Sequence, residues 1–295
     1  MHSETLAAID ERVPARTISP AAAWIALLRA APVACCVLLA LLAMALFAPW
    51  IAPYDPNAGS VLERLLPPGS PRHWLGTDEL GRDMASRLIW GARLSLSLGL
   101  KPVVLALLIG GTWGALAGFW GGPPGAWMMR GIDVLFAFPA TLLALAISGA
   151  LGPGWGNLVL ALTLVFVAPI ARIAESETRR LAGADFVAAA RLSGASAWFI
   201  LRHHLWRCLL PPVVVYAASL TSVAMIYASG LSFLGLGTKP PHAEWGLMLN
   251  TLRNALLLQP LLCVLPGLMV FATAMSLNRL SDVLRDLLDT RMPPP

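Results

Sequence analysis

Charged residues are scarce in this sequence. They make up 13% of its 295 residues, whereas 57% are hydrophobic and the mean hydropathy is +0.71. An ordinary soluble domain carries roughly a quarter of charged residues. The composition excludes a disordered chain, a nucleic-acid-binding module and most soluble enzymes, because a single water-soluble core cannot cover so much apolar surface. The 21 basic residues outnumber the 16 acidic ones but form no continuous stripe, so the predicted surroundings are a lipid bilayer and no nucleic acid partner is expected.

Lysine and cysteine are also rare, and each shortage excludes a class of site. The two lysines, Lys101 and Lys239, each precede a proline and neither follows a glycine, so the chain has no GxxxxGK[ST] sequence and no P-loop for ATP. Cys35 and Cys36 are adjacent in an apolar run, and no CxxC pair is present. Neither a disulfide framework nor a zinc or redox site is therefore predicted, and we expect no metal and no cofactor in this chain.

Six stretches are apolar over about 20 residues, the length that a helix needs to cross the hydrocarbon layer. They are residues 32–52, 94–120, 132–151, 155–173, 209–234 and 255–277. The predicted fold is an all-α polytopic membrane protein with six transmembrane helices in residues 32–278, between an N-terminal tail (1–31) and a C-terminal tail (279–295). Ser19-Pro20 is a helix-start signal within the first tail, where a short helix would lie along the membrane surface.

The distribution of basic residues predicts the orientation of these spans. Six spans place both termini on one side of the membrane. If that side is the cytoplasm, 13 basic residues lie in cytoplasmic segments and 7 in outer segments, with Lys101 inside a span. Because cytoplasmic loops carry an excess of Lys and Arg, we expect both termini to be cytoplasmic. Residues 53–92 then form an outer loop, and residues 174–208 form a cytoplasmic loop.

The cytoplasmic loop is too polar to enter lipid and too regular to be disordered. Asp185 is predicted to cap a short helix that Gly194 ends, and a second helix is predicted from Trp198 to the pair Pro211-Pro212. A hairpin with a small, alanine-rich tip can seat in a groove on another protein. Since simple connections are usually short, we favour a docking element over a mere connector.

The same loop resembles the EAA loop of ABC-importer permeases, which forms the coupling helix that docks on the ATPase subunit. The matching residues are Phe186-Val187-Ala188-Ala189-Ala190-Arg191-Leu192-Ser193-Gly194-Ala195-Ser196, followed by Leu210-Pro211-Pro212. The resemblance implies an ATPase-coupling loop made of Asp185, Phe186, Val187, Ala188, Ala189, Ala190, Arg191, Gly194 and Ala195. Ala188 stands where the family has the glutamate of the motif's name, so a salt contact made by that glutamate would be missing.

Further motifs narrow the resemblance to the C-type subunit of the peptide/nickel permease family. They are His73-Trp74-Leu75-Gly76-Thr77-Asp78-Glu79-Leu80-Gly81-Arg82-Asp83, Ser86-Arg87-Leu88-Ile89-Trp90-Gly91-Ala92-Arg93-Leu94-Ser95-Leu96, Ser232-Phe233-Leu234-Gly235-Leu236-Gly237, Glu244-Trp245-Gly246 and Leu284-Arg285-Asp286-Leu287-Leu288-Asp289. The match covers residues 31–291 in order. The resemblance implies a type I ABC-importer permease fold and a multi-pass subunit of the bacterial inner membrane.

The resemblance also implies a function and a set of partners. The chain would form half of a heteromeric pore that imports di- or oligopeptides, together with a homologous second permease subunit. Two ATPase subunits, which bind ATP and Mg²⁺, and an external substrate-binding protein would complete the importer. Nickel or another metal chelate is the alternative substrate, which the Arg-Leu-Ser-Gly-Ala stretch and Gln259-Pro260-Leu261 slightly favour.

The outer loop contains a group of charged residues and glycines that could be misread as a catalytic acid site. These residues are Gly76, Thr77, Asp78, Gly81, Arg82 and Asp83. We expect Asp78, Asp83, Arg82 and Arg87 to pair their charges in this loop, and Trp74 and Trp90 to anchor it at the membrane interface. Our hypothesis is that the loop closes the external gate or meets the binding protein.

Three polar residues in the second span are candidates for the transport pathway. Arg93, Ser97 and Lys101 are four residues apart each time, so they share one face of a helix. Lys101 either faces the pathway and attracts a carboxylate, or extends to the outer surface or the partner subunit, and we favour the second interpretation. The fifth span adds the polar or polarisable residues Ser219, Ser222 and Met225.

Two other classes of membrane protein are less favoured. A membrane-embedded enzyme needs convergent carboxylates, histidines or a nucleophile at membrane depth, and the fourth and fifth spans contain no Asp, Glu or His. We therefore predict no catalytic residue and no enzyme activity in this chain. A passive channel would not need the long cytoplasmic hairpin.

Overall fold

The computed structural model describes residues 27–288, and this part of the chain is all-α, without a β-strand. Its helices are α1 (Pro32–Ile51), α2 (Met84–Trp120), α3 (Gly122–Phe136), α4 (Ala140–Leu151), α5 (Trp155–Ala182), α6 (Asp185–Leu192), α7 (Ala197–Phe233), α8 (Trp245–Leu252) and α9 (Pro260–Leu288), with short 3₁₀ turns at Val61–Glu63 and Arg253–Ala255. The predicted helix near Ser19 and the end of the C-terminal tail lie outside the described residues.

Five of these helices, α1, α2, α5, α7 and α9, are long and apolar enough to cross a membrane. The pair α3 and α4 makes a sixth span if its two halves cross together, although they are bent by 82°. The prediction of one continuous helix over residues 132–151 was therefore wrong. Pro139 is the reason, because it lacks an amide hydrogen, disfavours helical geometry at Phe138 and stands at the N-cap of α4.

Four helices extend further than the apolar runs indicate. The helix α5 continues past residue 173 to Ala182, and α9 begins at Pro260 instead of 255 and continues past residue 277 to Leu288. The helix α2 begins at Met84, ten residues before the predicted start, because Asp83 caps it and its first turns pack against the outer loop. The helix α7 starts at Ala197 and continues through Pro211 and Pro212, so the prediction that a helix ends at this pair was wrong. Leu209 and Val213 are buried in the core on either side of the prolines, and this packing holds the helix together where two amide hydrogens are missing.

The centre of the bundle is the parallel pair α2 and α5. Gly110, Gly114 and Gly118 form a stripe on α2 that faces Val167, Ala171 and Glu175 of α5. A Cβ atom at any of the three glycines would lie within about 2.5 Å of a backbone carbonyl oxygen of α5, 2.2 Å in the case of Gly114. Small residues at this spacing let two membrane helices approach to backbone contact. The side chain of Arg172 on α5 also pairs with Asp133 on α3.

A second core joins α1, α8 and α9 to the outer half of α2. Its largest member is Trp245, which is fully buried against Gly91 and donates a hydrogen bond from Nε1 to the carbonyl of Leu88 at 3.0 Å. At the other end of the bundle, Ala34 of α1 and Val283 of α9 belong to a third cluster. The beginning of α1 and the end of α9 therefore lie side by side.

Candidate functional site

The six predicted residues of the outer loop form one compact, buried turn before α2. Asp78 is its centre: one carboxylate oxygen accepts hydrogen bonds from the amides of Leu80 and Arg82, both at 2.9 Å. The other oxygen lies 2.7 Å from Arg82 Nε and 3.2 Å from Arg87 Nε. Gly76 and Gly81 have φ of +78° and +73°, which is a region that favours glycine. The expected charge pairing is thus confirmed for Asp78, Arg82 and Arg87.

The partner of Asp83 differs from the expected one. Asp83 pairs with no arginine but accepts hydrogen bonds from the amide and hydroxyl of Ser86, both at 2.7 Å, and lies 2.8 Å from Nδ1 of His73. It is therefore the N-cap of α2, and it also holds the buried ring of His73. Of the two tryptophans, Trp74 is 82% exposed, whereas Trp90 lies under Arg93. Thr77 is buried and bonded to the backbone of Glu63 and Leu66.

Replacement of Asp83 by alanine tests this role as a cap. Two N-terminal groups of α2 and the buried imidazole would lose their acceptor, so we expect Asp83→Ala to lower the free energy of unfolding by about 2 kcal/mol. The measurement is the thermal unfolding of the purified protein in detergent. Arg72→Ala is the matched control, because the side chain of Arg72 is 81% exposed and its one ion pair, with Glu63, is long at 3.7 Å. An equal effect of the two variants would contradict the capping role.

Arg87 joins the outer loop to a distant segment of the chain. Its side chain is buried in α2, and Nη1 donates to the carbonyls of Pro56, at 2.9 Å, and Pro241, at 3.3 Å. Pro56 belongs to the first outer loop, and Pro241 lies in the segment between α7 and α8. One guanidinium thus connects both outer segments to the start of α2.

Glu244 is a buried carboxylate that sequence reasoning left without a role. It is 1% exposed and caps α8, accepting hydrogen bonds from the amides of Gly246 and Leu247, both at 2.8 Å. Ser95 of α2 donates to the same carboxylate at 3.3 Å and accepts from the amide of Trp245 at 3.0 Å. Burial raises the pKa of the Glu244 carboxyl, and the two backbone hydrogen bonds oppose that rise. Glutamate is not among the residues that favour an N-cap position, so residue type alone did not indicate this cap.

The three predicted pathway residues of α2 occupy one face of the helix, in two different settings. Arg93 lies over the ring of Trp90, 5.4 Å from its centroid, and lines an outer cavity of about 750 Å³. Lys101 lies 4.4 Å from the ring centroid of Trp155, whose Nε1 donates to the hydroxyl of Ser97 at 3.0 Å. Trp155 is the first residue of α5, so this contact ties the outer end of α5 to α2.

The predicted pathway residues of α7 are placed less favourably. The hydroxyls of Ser219 and Ser222 donate to the backbone carbonyls of Tyr216 and Ser219 within the same helix. Met225 is 1% exposed and packs against Gly99 of α2. The two serines are thus bonded within their own helix, and Met225 is a core residue.

The cytoplasmic hairpin consists of α6, a glycine turn and the start of α7. Ala184, and not Asp185, is the N-cap of α6, so the prediction of an Asp185 cap was wrong; Asp185 is the first helical residue. Gly194 has φ of +79°, and the amide of Ala195 donates to the carbonyl of Ala190 at 3.0 Å, which is the hydrogen-bond pattern of a Schellman motif. This turn ends α6 as the sequence predicts.

The residues of α6 divide into an inner and an outer face. Val187 is fully buried, and Ala190 and Ala195 pack partly against the same core. The exposed residues of the predicted coupling loop are Asp185, Phe186, Ala188, Ala189, Arg191 and Gly194. Leu192, the last residue of α6, was not predicted as part of this loop and is exposed beside them. Leu192 is 90% exposed, and Phe186 on the same helix is also exposed. A group of exposed apolar side chains is typical of an interaction surface.

The chain matches two family models. Residues 110–293 match the binding-protein-dependent transport system inner membrane component, and residues 23–68 match the N-terminal TM domain of oligopeptide transport permease C. Together these matches include both ends of the membrane bundle and the cytoplasmic hairpin.

Several curated proteins resemble the chain over most of their length. The probable D,D-dipeptide transport system permease protein DdpC of Escherichia coli is 39% identical over 255 residues, which cover 86% of this chain and 85% of the relative. The di/tripeptide transport system permease protein DppC of Pseudomonas aeruginosa is 42% identical over 257 residues, 84% of each chain. The glutathione transport system permease protein GsiD of Pectobacterium atrosepticum is 39% identical over 254 residues, 86% of this chain and 84% of the relative. The chain therefore belongs to the family of binding-protein-dependent transport system inner membrane components, as a multi-pass permease subunit of the C type.

Proposed function

We propose that the chain is the C-type permease subunit of an ABC importer for short peptides. The observation that carries this proposal is the match over more than four fifths of the chain to permeases named for dipeptides, di- or tripeptides and glutathione. All three substrates are short peptides, so the alternative of nickel or a metal chelate is not favoured. The chain itself performs no covalent chemistry in this function.

The arrangement of the hairpin supports coupling to separate ATPase subunits. The exposed face of α6 offers Phe186 and Leu192 to a partner, while Val187 anchors the same helix in the core of the bundle. The helix α7 then runs from Ala197 to Phe233 and includes a π-helical segment at Ile200–Leu205. A push on α6 would therefore be transmitted along α7 toward the outer side. ATP and Mg²⁺ would be bound by two partner ATPases, which move this subunit and a homologous second permease between inward-open and outward-open states.

The outer segments would meet the external binding protein, and both termini would be cytoplasmic. The excess of arginine in the segments assigned to the cytoplasm supports this orientation. The contact between the start of α1 and the end of α9 supports the placement of both termini on one side. The turn around Asp78 and Asp83 is held by buried hydrogen bonds and an ion pair and presents the exposed apolar residues Trp74 and Leu80, which supports its use as a docking surface.

Peptide-dependent growth tests the proposed function. A host strain that requires an amino acid and lacks this gene should fail to grow when that amino acid is supplied as a di- or tripeptide. Growth should return with the wild-type gene, and nickel accumulation should be the same in both strains. Normal growth on peptides together with a loss of nickel accumulation would overturn the proposal in favour of a metal importer.

Leu192→Asp tests the coupling face directly. A carboxylate in the middle of an apolar contact would be buried without a partner. We therefore expect the amount of ATPase subunit that purifies with the variant to fall about tenfold or more. The measurement is the amount of ATPase subunit that co-purifies with this chain from membranes. Leu62→Asp is the matched control, since Leu62 is an equally exposed leucine, at 95%, in the outer loop. Full retention of the ATPases by Leu192→Asp would contradict the coupling role of α6.

A further inference from the structure

The outer surface contains a cavity of about 750 Å³ that is separate from the cytoplasmic hairpin. It lies between the end of α1, the first residues of the outer loop, the outer turns of α2 and the segment before α8. Its walls include Tyr54, Asp55, Trp90, Arg93 and His242. Its volume falls within the range of roughly 300–1,000 Å³ that is usual for small-molecule sites.

The cavity contains a cation without a carboxylate partner. Among residues 27–288, no Asp or Glu side chain lies within ion-pair distance of Arg93. The ring of Trp90 lies against its guanidinium group at 5.4 Å. A guanidinium near an aromatic ring retains N–H groups that can bind a carboxylate through two parallel hydrogen bonds.

The same cavity contains an anion without a basic partner. Asp55 is exposed, and its Oδ1 accepts a hydrogen bond from the amide of Asn57 at 2.8 Å. Within the described part of the chain, no Lys, Arg or His side chain forms an ion pair with it, and Arg93 does not either. The cavity thus contains one free charge of each sign, separated by more than the length of an ion pair.

We propose that this cavity binds the two charged termini of a short peptide, with Arg93 receiving the α-carboxylate and Asp55 the α-ammonium group. The inference rests on the proposed function and names a site for its substrate on the permease itself. A zwitterion with separated charges satisfies both free groups at once, whereas a simple anion or cation satisfies one and is repelled by the other. The faces of Tyr54, Trp90 and the neighbouring prolines supply apolar walls for the peptide between its termini.

The position of Lys101 fits this site. It lies eight residues after Arg93 on the same face of α2, about 12 Å further along the helix at 1.5 Å per residue. A peptide carboxylate that leaves Arg93 in the inward direction would meet this second cation, which Trp155 holds in place. Arg93 in the cavity and Lys101 beyond it are therefore two cations on one face of α2.

Direct binding to the complete permease–ATPase complex in nanodiscs, without added binding protein, tests the proposal. The probes are trialanine with free termini, its C-terminal amide and its N-acetyl derivative. We expect Arg93→Gln to weaken binding of free trialanine at least about tenfold, to the level of the amide in the wild type, and to leave binding of the amide unchanged. Asp55→Asn keeps the acceptor for the amide of Asn57. It should weaken binding of free trialanine to the level of N-acetyl trialanine in the wild type and leave binding of the N-acetyl derivative unchanged. Arg72→Gln is the control and should bind all three probes as the wild type does.

The other outcomes overturn the proposal and separate it from the proposed function. Equal affinity of wild type and Arg93→Gln for free trialanine, in an importer that still takes up tripeptides, would reject the site and leave the function standing. If Arg93→Gln binds trialanine normally but no longer responds to the binding protein with increased ATP hydrolysis, the cavity receives an acidic side chain of that protein instead. Failure of the wild-type importer both to bind and to take up trialanine would reject the site and the peptide function together.

Discussion

Gly114→Ala is expected to destabilise the bundle, whereas Gly111→Ala, three residues away on the same helix, is expected to be tolerated. A Cβ atom at Gly114 would lie 2.2 Å from the carbonyl oxygen of Ala171 and 2.9 Å from the Cβ of Ala174. Backbone atoms cannot rotate away, so α2 and α5 would have to separate along their whole contact. Overpacking of this kind costs about 1–3 kcal/mol, and the tight glycine stripe places this site at the upper end.

The comparison with Gly111 isolates the helix contact from the general effect of alanine in a helix. A Cβ atom at Gly111 meets only Leu107 Cδ1 at 3.7 Å, which is an ordinary van der Waals distance. Thermal unfolding in detergent, followed by size-exclusion chromatography, measures both variants. Gly118→Ala should behave like Gly114→Ala, since its Cβ would lie 2.5 Å from the carbonyl of Glu175. Equal melting temperatures for Gly111→Ala and Gly114→Ala would mean that the two helices are not in backbone contact.

Glu244→Ala is expected to release α8 from the bundle. The substitution leaves the buried amides of Gly246 and Leu247 without an acceptor and removes the contact of α8 with Ser95 of α2. The loss of the two hydrogen bonds of the cap and of the one from Ser95 costs about 2–4 kcal/mol. We expect a lower melting temperature in detergent and, because α8 packs against α2, α7 and α9, reduced peptide uptake at unchanged expression.

The amide variant separates the role of the acceptor from that of the charge. Glu244→Gln retains one carbonyl oxygen and loses the other, so its melting temperature should lie between those of the wild type and Glu244→Ala. Glu177→Ala is the control for loss of an acidic residue, since Glu177 is a partly exposed partner of Arg180 at the far end of α5. Wild-type stability of Glu244→Ala would show that other contacts, such as that of Trp245, hold α8 alone.

The apolar runs predict most of the fold because a membrane helix is defined by its length and composition. Four of the six runs fall within one long helix to within a residue, whereas the third is divided between α3 and α4 and the sixth begins five residues before α9. Pro139 breaks the third run, whereas Pro211 and Pro212 fail to end α7. The prolines alone do not show whether a helix breaks or continues, because the outcome depends on the packing of the neighbouring side chains. Leu209 and Val213 are buried against other helices, whereas Phe138 is exposed.

The candidate site was predictable where its residues are close in the sequence. Asp78 and Arg82 are four residues apart, and their pairing follows from local charge. The contact between Ser95 and Glu244 joins residues 149 positions apart and depends on the way in which α8 folds back against α2. Met225 shows the converse, because its place in a polar span indicates a pathway, yet it fills the space over Gly99. Only the packing of the helices distinguishes a lining residue from a core residue in such a span.

The two carbonyls held by Arg87 have a mechanical consequence for events at the outer surface. Because Pro56 and Pro241 are bonded to the same guanidinium group, the first outer loop and the segment before α8 cannot be displaced independently. A protein that lands on either segment would shift both, together with the outer end of α2. A force applied to either segment would thus reach the start of α2 through one side chain.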